Sequence, residues 1–165
     1  MNLMLRRREL LKMGGGGAEP WITYQVYSPA NTTRAVYSGS IDTVARMMMG
    51  DTEITPTTSM AFVAAGYYDF KILLASPATI PSAAFNAGHY YNVVLPDCVT
   101  YIDTNAFRNY STNSASIVLT CLAATPPSLN GDPFANRHII TLKVPSASLA
   151  AYQAAWSMMQ NIQSL

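Results

Sequence analysis

The chain has 165 residues, which is long enough for one sizeable hydrophobic core or for two small ones. Charged residues make up only 12% of it and the formal net charge is +1, so the composition lacks the strong field that draws in nucleic acid or an anionic membrane. Half of the residues are hydrophobic, but no uninterrupted apolar run approaches the ~20 residues of a transmembrane helix, so we predict neither a nucleic-acid partner nor a membrane span.

Residues 1–20 are predicted to form a separate N-terminal arm. The stretch 1–13 has helical character and a basic centre, and a run of glycines at 14–17 follows it at once. It has the basic flank of a signal peptide without the apolar core of ~7–15 residues that should follow, so no clear signal peptide is assigned. The arm is a mobile glycine-tethered tail, a segment that becomes helical when it docks on a partner, or a membrane contact. The residues that would dock are Leu3, Leu5, Arg6, Arg7, Arg8, Leu10 and Leu11.

Residues 21–67 are predicted to form a small antiparallel β domain. The stretch 21–27 alternates between apolar and polar side chains, which is typical of a strand with one buried face. The stretches 44–49 and 52–54 flank a Gly-Asp pair that suits a two-residue hairpin turn. A second hairpin would join the strand at 60–62 to a strand at 67–74. That last strand runs straight into the next part of the chain and would cover its open end.

Residues 68–165 carry a motif that recurs at a period in the low twenties. Its complete copies span 70–85, 92–107 and 116–134, and a strand at 140–145 starts a further copy. Each copy begins with a short strand and ends at a phenylalanine, which is Phe85, Phe107 or Phe134. A unit this small cannot bury its apolar side chains alone, so we predict a stack in which each unit adds one parallel strand and one return segment. We also predict that the three phenylalanine rings stack as a ladder.

The second copy resembles the BspA-type (Treponema pallidum-like) leucine-rich repeats, whose pattern is roughly I-x-L-P-x-x-V-x-x-I-G-x-x-A-F-x-x-C. The residues that fit it position by position are Val93, Leu95, Pro96, Val99, Ile102, Ala106 and Phe107. Asp103 stands where the family prefers glycine, and Tyr110 stands where it often has cysteine. Residues 142–156 resemble the closing unit of such arrays in gut Bacteroides-like bacteria and their phages. The resemblance implies a fold and is almost silent on function, because a repeat scaffold carries many kinds of site.

The predicted fold class is mainly β with short helical or irregular return segments. A small N-terminal antiparallel β domain at 21–67 would join a short leucine-rich-repeat solenoid at 68–165. Ser148 is a plausible N-cap for a helix over 149–155 that closes the solenoid.

Residue types that carry catalysis are few in this chain. His89 and His138 each follow the phenylalanine of a repeat and are interpreted as surface or capping contacts. No local signature surrounds a candidate nucleophile, and we predict no enzyme activity, no cofactor and no metal site. Cys98 and Cys121 are 23 positions apart, which is close to one repeat. Two states of these cysteines remain possible: a disulfide between adjacent repeats, or two free, mostly buried thiols. We favour the free thiols because the third copy carries an insertion that shifts its register.

Two classes of function remain. The first is a non-catalytic protein-interaction or adhesion module that holds a protein or glycan on a host or partner surface. Its candidate binding residues are Tyr91, Tyr101 and Arg108, which point outward by alternation and are residue types that carry interface energy; ordinary solvent exposure is the alternative for them. The second is a structural component of a phage or prophage virion, or of another large or homo-oligomeric assembly, docked through the arm. The family resemblance favours the first class and a cell-surface or extracellular location, whereas the lack of a clear signal peptide favours the virion.

Overall fold

The structure is a computed structural model that describes residues 19–87, 89–108, 117–134 and 140–165. Its strands are β1 (Ile22–Ser28), β2 (Thr32–Ala35), β3 (Val44–Met49), β4 (Thr52–Ile54), β5 (Ser59–Phe62), β6 (Gly66–Leu74), β7 (Thr79–Ile80), β8 (Tyr90–Leu95), β9 (Tyr101–Ile102), β10 (Ile117–Cys121), β11 (Ser128–Leu129), β12 (Ile140–Val144) and β13 (Asn161–Ser164). The α-helix α1 spans Leu149–Ala155, and single turns of 3-10 helix span Ile41–Thr43 and Ser146–Ser148.

Eight of these strands form one mixed sheet in the order β13-β12-β10-β8-β1-β6-β3-β4. The strands β8, β10, β12 and β13 pair in parallel. The strands β1, β6, β3 and β4 pair antiparallel. The two halves meet at β1, which is antiparallel both to β8 on one side and to β6 on the other. We call this the large sheet.

The predicted fold class is wrong, because the large sheet is continuous and mixed. The prediction required the strand at 70–74, which belongs to β6, to lie beside β8 as the first parallel rung of a solenoid. Instead β1 lies between β6 and β8, so β6 is not the first parallel rung of a leucine-rich-repeat solenoid. The division of the chain at residues 20 and 67 stays a prediction.

β1 occupies this central position because it buries one whole face and forms hydrogen bonds along both of its edges. Ile22, Tyr24 and Val26 are each at most 2% exposed. Without β1, the facing edges of β6 and β8 would leave backbone N–H and C=O groups unpaired beside the core. The alternation along β1 was visible in the sequence, but alternation does not say which two strands become its neighbours.

Of the two predicted hairpins, the first is confirmed and the second is wrong. β3 pairs with β4 across Gly50, whose φ of +59° lies in the left-handed region that glycine adopts without strain. β5 pairs with β2 instead of β6. The reason lies in the packing of Phe62, which ends β5 and is 4% exposed. The centroid of its ring lies 4.4 Å from the ring centroid of Tyr68 and 6.5 Å from that of Phe70. β5 therefore packs against the face of β6 and not along its edge.

A smaller parallel sheet closes the core opposite the parallel strands. β7, β9 and β11 form it, and their paired residues include Ile80, Ile102 and Leu129. Ile80 and Ile102 are 0% exposed, and Leu129 packs against the same buried cluster as the inward side chains of the large sheet. We call this the small sheet.

The predicted phenylalanine ladder is confirmed. The ring of Phe107 stacks on Phe85 at 5.4 Å and on Phe134 at 5.4 Å, with interplanar angles of 13° and 14°. All three rings are 0% exposed. Backbone hydrogen bonds hold neighbouring turns in register, because Phe85 N–H donates to Ala106 O at 2.8 Å and Phe107 N–H donates to Pro133 O at 2.9 Å. The ladder therefore forms within a mixed-sheet protein.

The predicted helix at 149–155 is confirmed as α1, which closes the core beyond Phe134. Trp156 is 1% exposed, and its Nε1–H donates to Pro127 O at 3.1 Å. Ser148 precedes the helix, but its hydroxyl makes no capping hydrogen bond. Its Oγ–H donates to Ala124 O at 2.7 Å instead, so this side chain anchors the helix to the preceding loop.

Candidate functional site

The face of the large sheet that points away from the core is exposed, and we call it the outer face. On β1 the buried residues alternate with Thr23, Gln25 and Tyr27. Side chains on one face of a sheet recur at every second residue, so these three lie on the outer face.

Three tyrosines meet at one end of the outer face. Tyr27 on β1 is paired directly with Tyr67 on β6, and their ring centroids are 5.1 Å apart. The ring of Tyr67 also meets that of Tyr91 on β8 edge-on, at 5.3 Å and 82°. Tyr67 is 58% exposed and Tyr27 is 37% exposed, while Tyr91 is half-buried. We call these residues the tyrosine cluster, with Tyr67 at its centre.

A row of polar side chains borders the tyrosine cluster. Gln25 Nε2–H donates to Asp69 Oδ1 at 2.9 Å, and Asn92 Nδ2–H donates to Gln25 Oε1 at 2.8 Å. We call Asp69, Gln25 and Asn92 the polar row. Because each of the two amides has a second N–H, Gln25 and Asn92 keep hydrogen-bonding capacity for a ligand.

A bulge in β8 places Asn92 in this row. Between the pairs Thr23↔Val94 and Gln25↔Tyr91, β8 has one residue more than β1. Asn92 has a φ of +51°, a left-handed conformation that asparagine tolerates better than most residues. Bulges often turn a side chain to a new direction near a functional site. Here the bulge allows the consecutive residues Tyr91 and Asn92 to belong to the tyrosine cluster and to the polar row, respectively.

The outer face continues across the parallel strands with mostly neutral polar side chains. By the register of β10, β12 and β13, Val118 also lies on this face, and its polar side chains are Thr120, Thr141, Lys143, Asn161 and Gln163. Asn161 Nδ2–H donates to Thr141 Oγ1 at 2.7 Å, which fixes one amide of this surface. The outer face thus combines tyrosines with hydroxyl and amide groups, the side chains that dominate antibody binding loops.

Charged groups near the opposite edge of the large sheet bind one another. Arg46 Nε–H donates to Glu53 Oε1 at 2.9 Å, and Arg46 Nη1–H donates to Glu19 Oε1 at 2.7 Å. The hydrogen bonds from Arg46 hold the pKa of Glu53 below its ordinary value. These side chains are exposed, so water and salt screen the pairs. They mark an ionic edge beside β4 that is distinct from the tyrosine cluster.

The structure separates the three binding residues that the sequence predicted. Tyr91 belongs to the tyrosine cluster. Tyr101 is half-buried on β9 in the small sheet, and Arg108 is exposed in the turn that follows Phe107. Only Tyr91 of the three therefore lies on the outer face of the large sheet. The predicted docking residues Leu3, Leu5, Arg6, Arg7, Arg8, Leu10 and Leu11 lie outside the described residues, so the arm and the virion role stay predictions.

Sequence reasoning missed Tyr27 and Tyr67. A signal for Tyr27 was present, because the alternation of β1 places an aromatic ring among the polar side chains of its exposed face. Its contact with Tyr67 depends on which strands become neighbours in the sheet, and no local sequence pattern predicts this strand order.

His89 fits the predicted capping contact, and His138 lies outside the described residues. His89 Nε2–H donates to Ala35 O at 2.7 Å. Burial lowers the pKa of His89 below its ordinary 6.5, and the nearby guanidinium of Arg34 lowers this pKa further. The imidazole is therefore neutral at pH 7, with its proton on Nε2 because a carbonyl only accepts.

Both cysteines are free thiols, as predicted. Cys121 is fully buried and accepts a hydrogen bond from Tyr152 Oη–H, with 3.1 Å between sulfur and oxygen. Cys98 is half-buried, with its sulfur 3.6 Å from Pro77 O. Burial raises the pKa of both thiols, so the thiolate that would act as a nucleophile is disfavoured.

Within residues 19–87, 89–108, 117–134 and 140–165, no group of three or more His, Cys, Asp or Glu side chains could hold a metal ion. No helix in those segments is long and apolar enough to cross a membrane.

Comparisons with known proteins give no significant match for this chain. No family model matches it, no curated protein is significantly similar in sequence, and no solved structure is significantly similar in fold. The resemblance to BspA-type leucine-rich repeats therefore stays a prediction.

Proposed function

We propose that this protein is a non-catalytic binding module that uses the tyrosine cluster on its outer face to hold a protein or glycan on a partner surface. The observation that carries the proposal is that the exposed ring of Tyr67 contacts both the exposed ring of Tyr27 and the half-buried ring of Tyr91, on a sheet whose opposite face is the core. Tyrosine combines a large apolar ring with a hydrogen-bonding hydroxyl, and it is among the residues that dominate binding energy at interfaces.

The tyrosine cluster is suited to binding because its rings are already ordered. Tyr27 and Tyr67 stand on neighbouring, hydrogen-bonded strands, and Tyr67 lies against both of its partners. Ordering a side chain on binding costs about 0.5–1.5 kcal/mol. Rings that restrain one another before the ligand arrives lose less of this freedom.

Single exposed aromatic side chains are ordinary on protein surfaces and need no functional explanation. The tyrosine cluster differs because three rings from three strands form one patch. Contiguous exposed apolar patches on soluble proteins often mark an interaction site. The polar row beside the patch supplies amide and carboxylate groups that fix the orientation of a ligand.

The proposal is tested with binding arrays and a matched pair of tyrosine variants. The purified chain is applied to an array of glycans and an array of cell-surface proteins, and each saturable interaction is measured again with Tyr67→Ala and Tyr101→Ala. Tyr101 is the control because it is also a partly exposed tyrosine but belongs to the small sheet. Loss of a central interface tyrosine typically costs ~2 kcal/mol or more, so Tyr67→Ala should weaken binding about 30-fold while Tyr101→Ala leaves it unchanged.

The Tyr67→Ala variant should keep its fold, because cross-strand contacts of exposed side chains contribute only about 0.2–1 kcal/mol each. Its melting temperature therefore serves as the folding control. Equal binding by wild type and Tyr67→Ala, or a loss that only Tyr101→Ala produces, would contradict the proposal.

A further inference from the structure

The hydrogen bonds of the polar row run in one direction, which the carboxylate of Asp69 sets. An ionised carboxylate only accepts, so the side-chain amide of Gln25 turns its nitrogen toward Asp69, at 2.9 Å. The Gln25 oxygen therefore faces Asn92, whose side-chain nitrogen donates to it at 2.8 Å. Both amides are thus held in a defined orientation before a ligand arrives, and each has a second N–H.

The polar row lies directly beside the exposed ring of Tyr67. Tyr67 and Asp69 are two residues apart on β6, and their cross-strand partners on β1 are Tyr27 and Gln25. Neighbouring strands are about 4.8 Å apart, and residues two apart on a strand are separated by about 7 Å. The tyrosine cluster and the polar row therefore share a patch about 10 Å wide across β6, β1 and β8.

An aromatic ring next to oriented amides matches the two kinds of surface on a sugar. One side of a pyranose ring is lined by C–H groups, which pack on an aromatic ring because the ring face carries partial negative charge. The hydroxyls at the edge of the sugar each donate and accept, so they can pair with the N–H and C=O groups of a side-chain amide. The patch is also comparable in width with one or two sugar rings.

A protein partner would need a larger apolar surface. A stable protein interface buries about 800 Å² on each partner, around a core that is more apolar than the rest of the surface. Across the parallel strands, the outer face has mostly hydroxyl and amide groups, such as those of Thr120, Thr141 and Asn161. These groups offer hydrogen bonds to a long glycan but not the apolar core of a protein interface.

The charges beside the patch favour a neutral sugar over an acidic one. The carboxylate of Asp69 belongs to the polar row and would repel an anionic sugar. Lys71 is the next residue on the same face of β6, but its Nζ lies 4.0 Å from Asp51 Oδ1, which offsets its positive charge.

We propose that the ligand of the tyrosine cluster is a neutral glycan. One sugar ring packs on Tyr67, and its hydroxyls bind the side-chain amides of Gln25 and Asn92. This inference rests on the proposed function and names the class of ligand that the same site takes.

The test is an NMR titration of isotope-labelled full-length chain with neutral hexasaccharides of glucose, mannose, galactose, xylose and N-acetylglucosamine. At least one of them should shift the ring signals of Tyr67 and the side-chain amide signals of Asn92, and both sets should saturate at the same concentration. An oligosaccharide of galacturonic acid, which is acidic, should bind more weakly than that sugar.

A matched pair of amide variants tests the hydrogen bonds. Asn92→Gly removes the amide but keeps a residue that adopts the φ of +51° easily, so it should weaken binding of the sugar about fivefold through the loss of one hydrogen bond. Asn161→Ala is the control, because Asn161 is also an amide on the outer face but lies on β13, three strands from β8. It should leave binding unchanged.

The inference is overturned if none of the neutral hexasaccharides gives a saturable shift, or if the acidic oligosaccharide binds as tightly as they do. A Tyr67-dependent interaction with a protein on the array would then leave the proposed function standing, with a protein as the ligand. A neutral sugar whose binding is undiminished by Tyr67→Ala and leaves the tyrosine rings unshifted would contradict both the inference and the proposed function. The wild-type signals keep the test decisive even if a variant fails to fold.

Discussion

Replacing Phe107 with alanine removes the middle ring of the phenylalanine ladder. The ring is 0% exposed and stacks on Phe85 and Phe134, each at 5.4 Å. Truncating a buried phenylalanine to alanine costs about 3–5 kcal/mol through lost burial and the cavity that remains. The two aromatic contacts account for about 0.5–1.5 kcal/mol each within that total. Phe107→Leu, which keeps most of the volume but loses both contacts, should therefore cost about 1–3 kcal/mol.

The assay is equilibrium unfolding in urea, with the free energy of unfolding obtained from the midpoint at unchanged slope. Val63→Ala is the control, because Val63 is 82% exposed and its truncation should change stability by no more than about 0.5 kcal/mol. A decrease of less than about 1 kcal/mol in the free energy of unfolding for Phe107→Ala would refute the packing described for the ladder, because removing a fully buried ring that stacks on two others destabilises a protein by more than that.

Two further predictions concern titratable groups. The folded-state pKa of His89 lies below its ordinary 6.5, so the unfolded chain takes up a proton first as the pH falls. The free energy of unfolding should therefore reach its full value above pH 6.5 and should fall as the pH drops from there toward the folded-state pKa. The same measurement on His89→Gln should show a shallower fall across this window, and an equally steep fall would contradict the prediction. The buried thiols have raised pKa values, so a thiol reagent should label Cys98 slowly and Cys121 hardly at all in the folded chain, and both after denaturation. Fast labelling of Cys121 without denaturant would contradict its burial.

Local features of the fold could be predicted because they depend on residues close in sequence. The turn at Gly50 follows from the one residue type that adopts its φ of +59° easily. The stacking of Phe85 and Phe107 follows from their spacing of 22 residues, which repeats the same short unit. The position of β1 could not be predicted in this way, because a strand with one apolar face packs equally well beside parallel or antiparallel neighbours.

The candidate site depends on the position of β1. Tyr27, Tyr67 and Tyr91 come from β1, β6 and β8, and they meet only because β1 lies between the other two strands. Alternation identified Tyr91 as an outward residue, but it selected Tyr101 by the same criterion on a different sheet.

The most direct test of the tyrosine cluster as the binding surface is NMR of the tyrosine rings during a titration with a partner found on the arrays. The ring signals of Tyr27, Tyr67 and Tyr91 should shift together and saturate at the same partner concentration, because the three rings form one contact surface. The ring of Tyr101, on the small sheet, should stay unchanged. A saturable shift of Tyr101 with no change in the other three rings would contradict the proposed function.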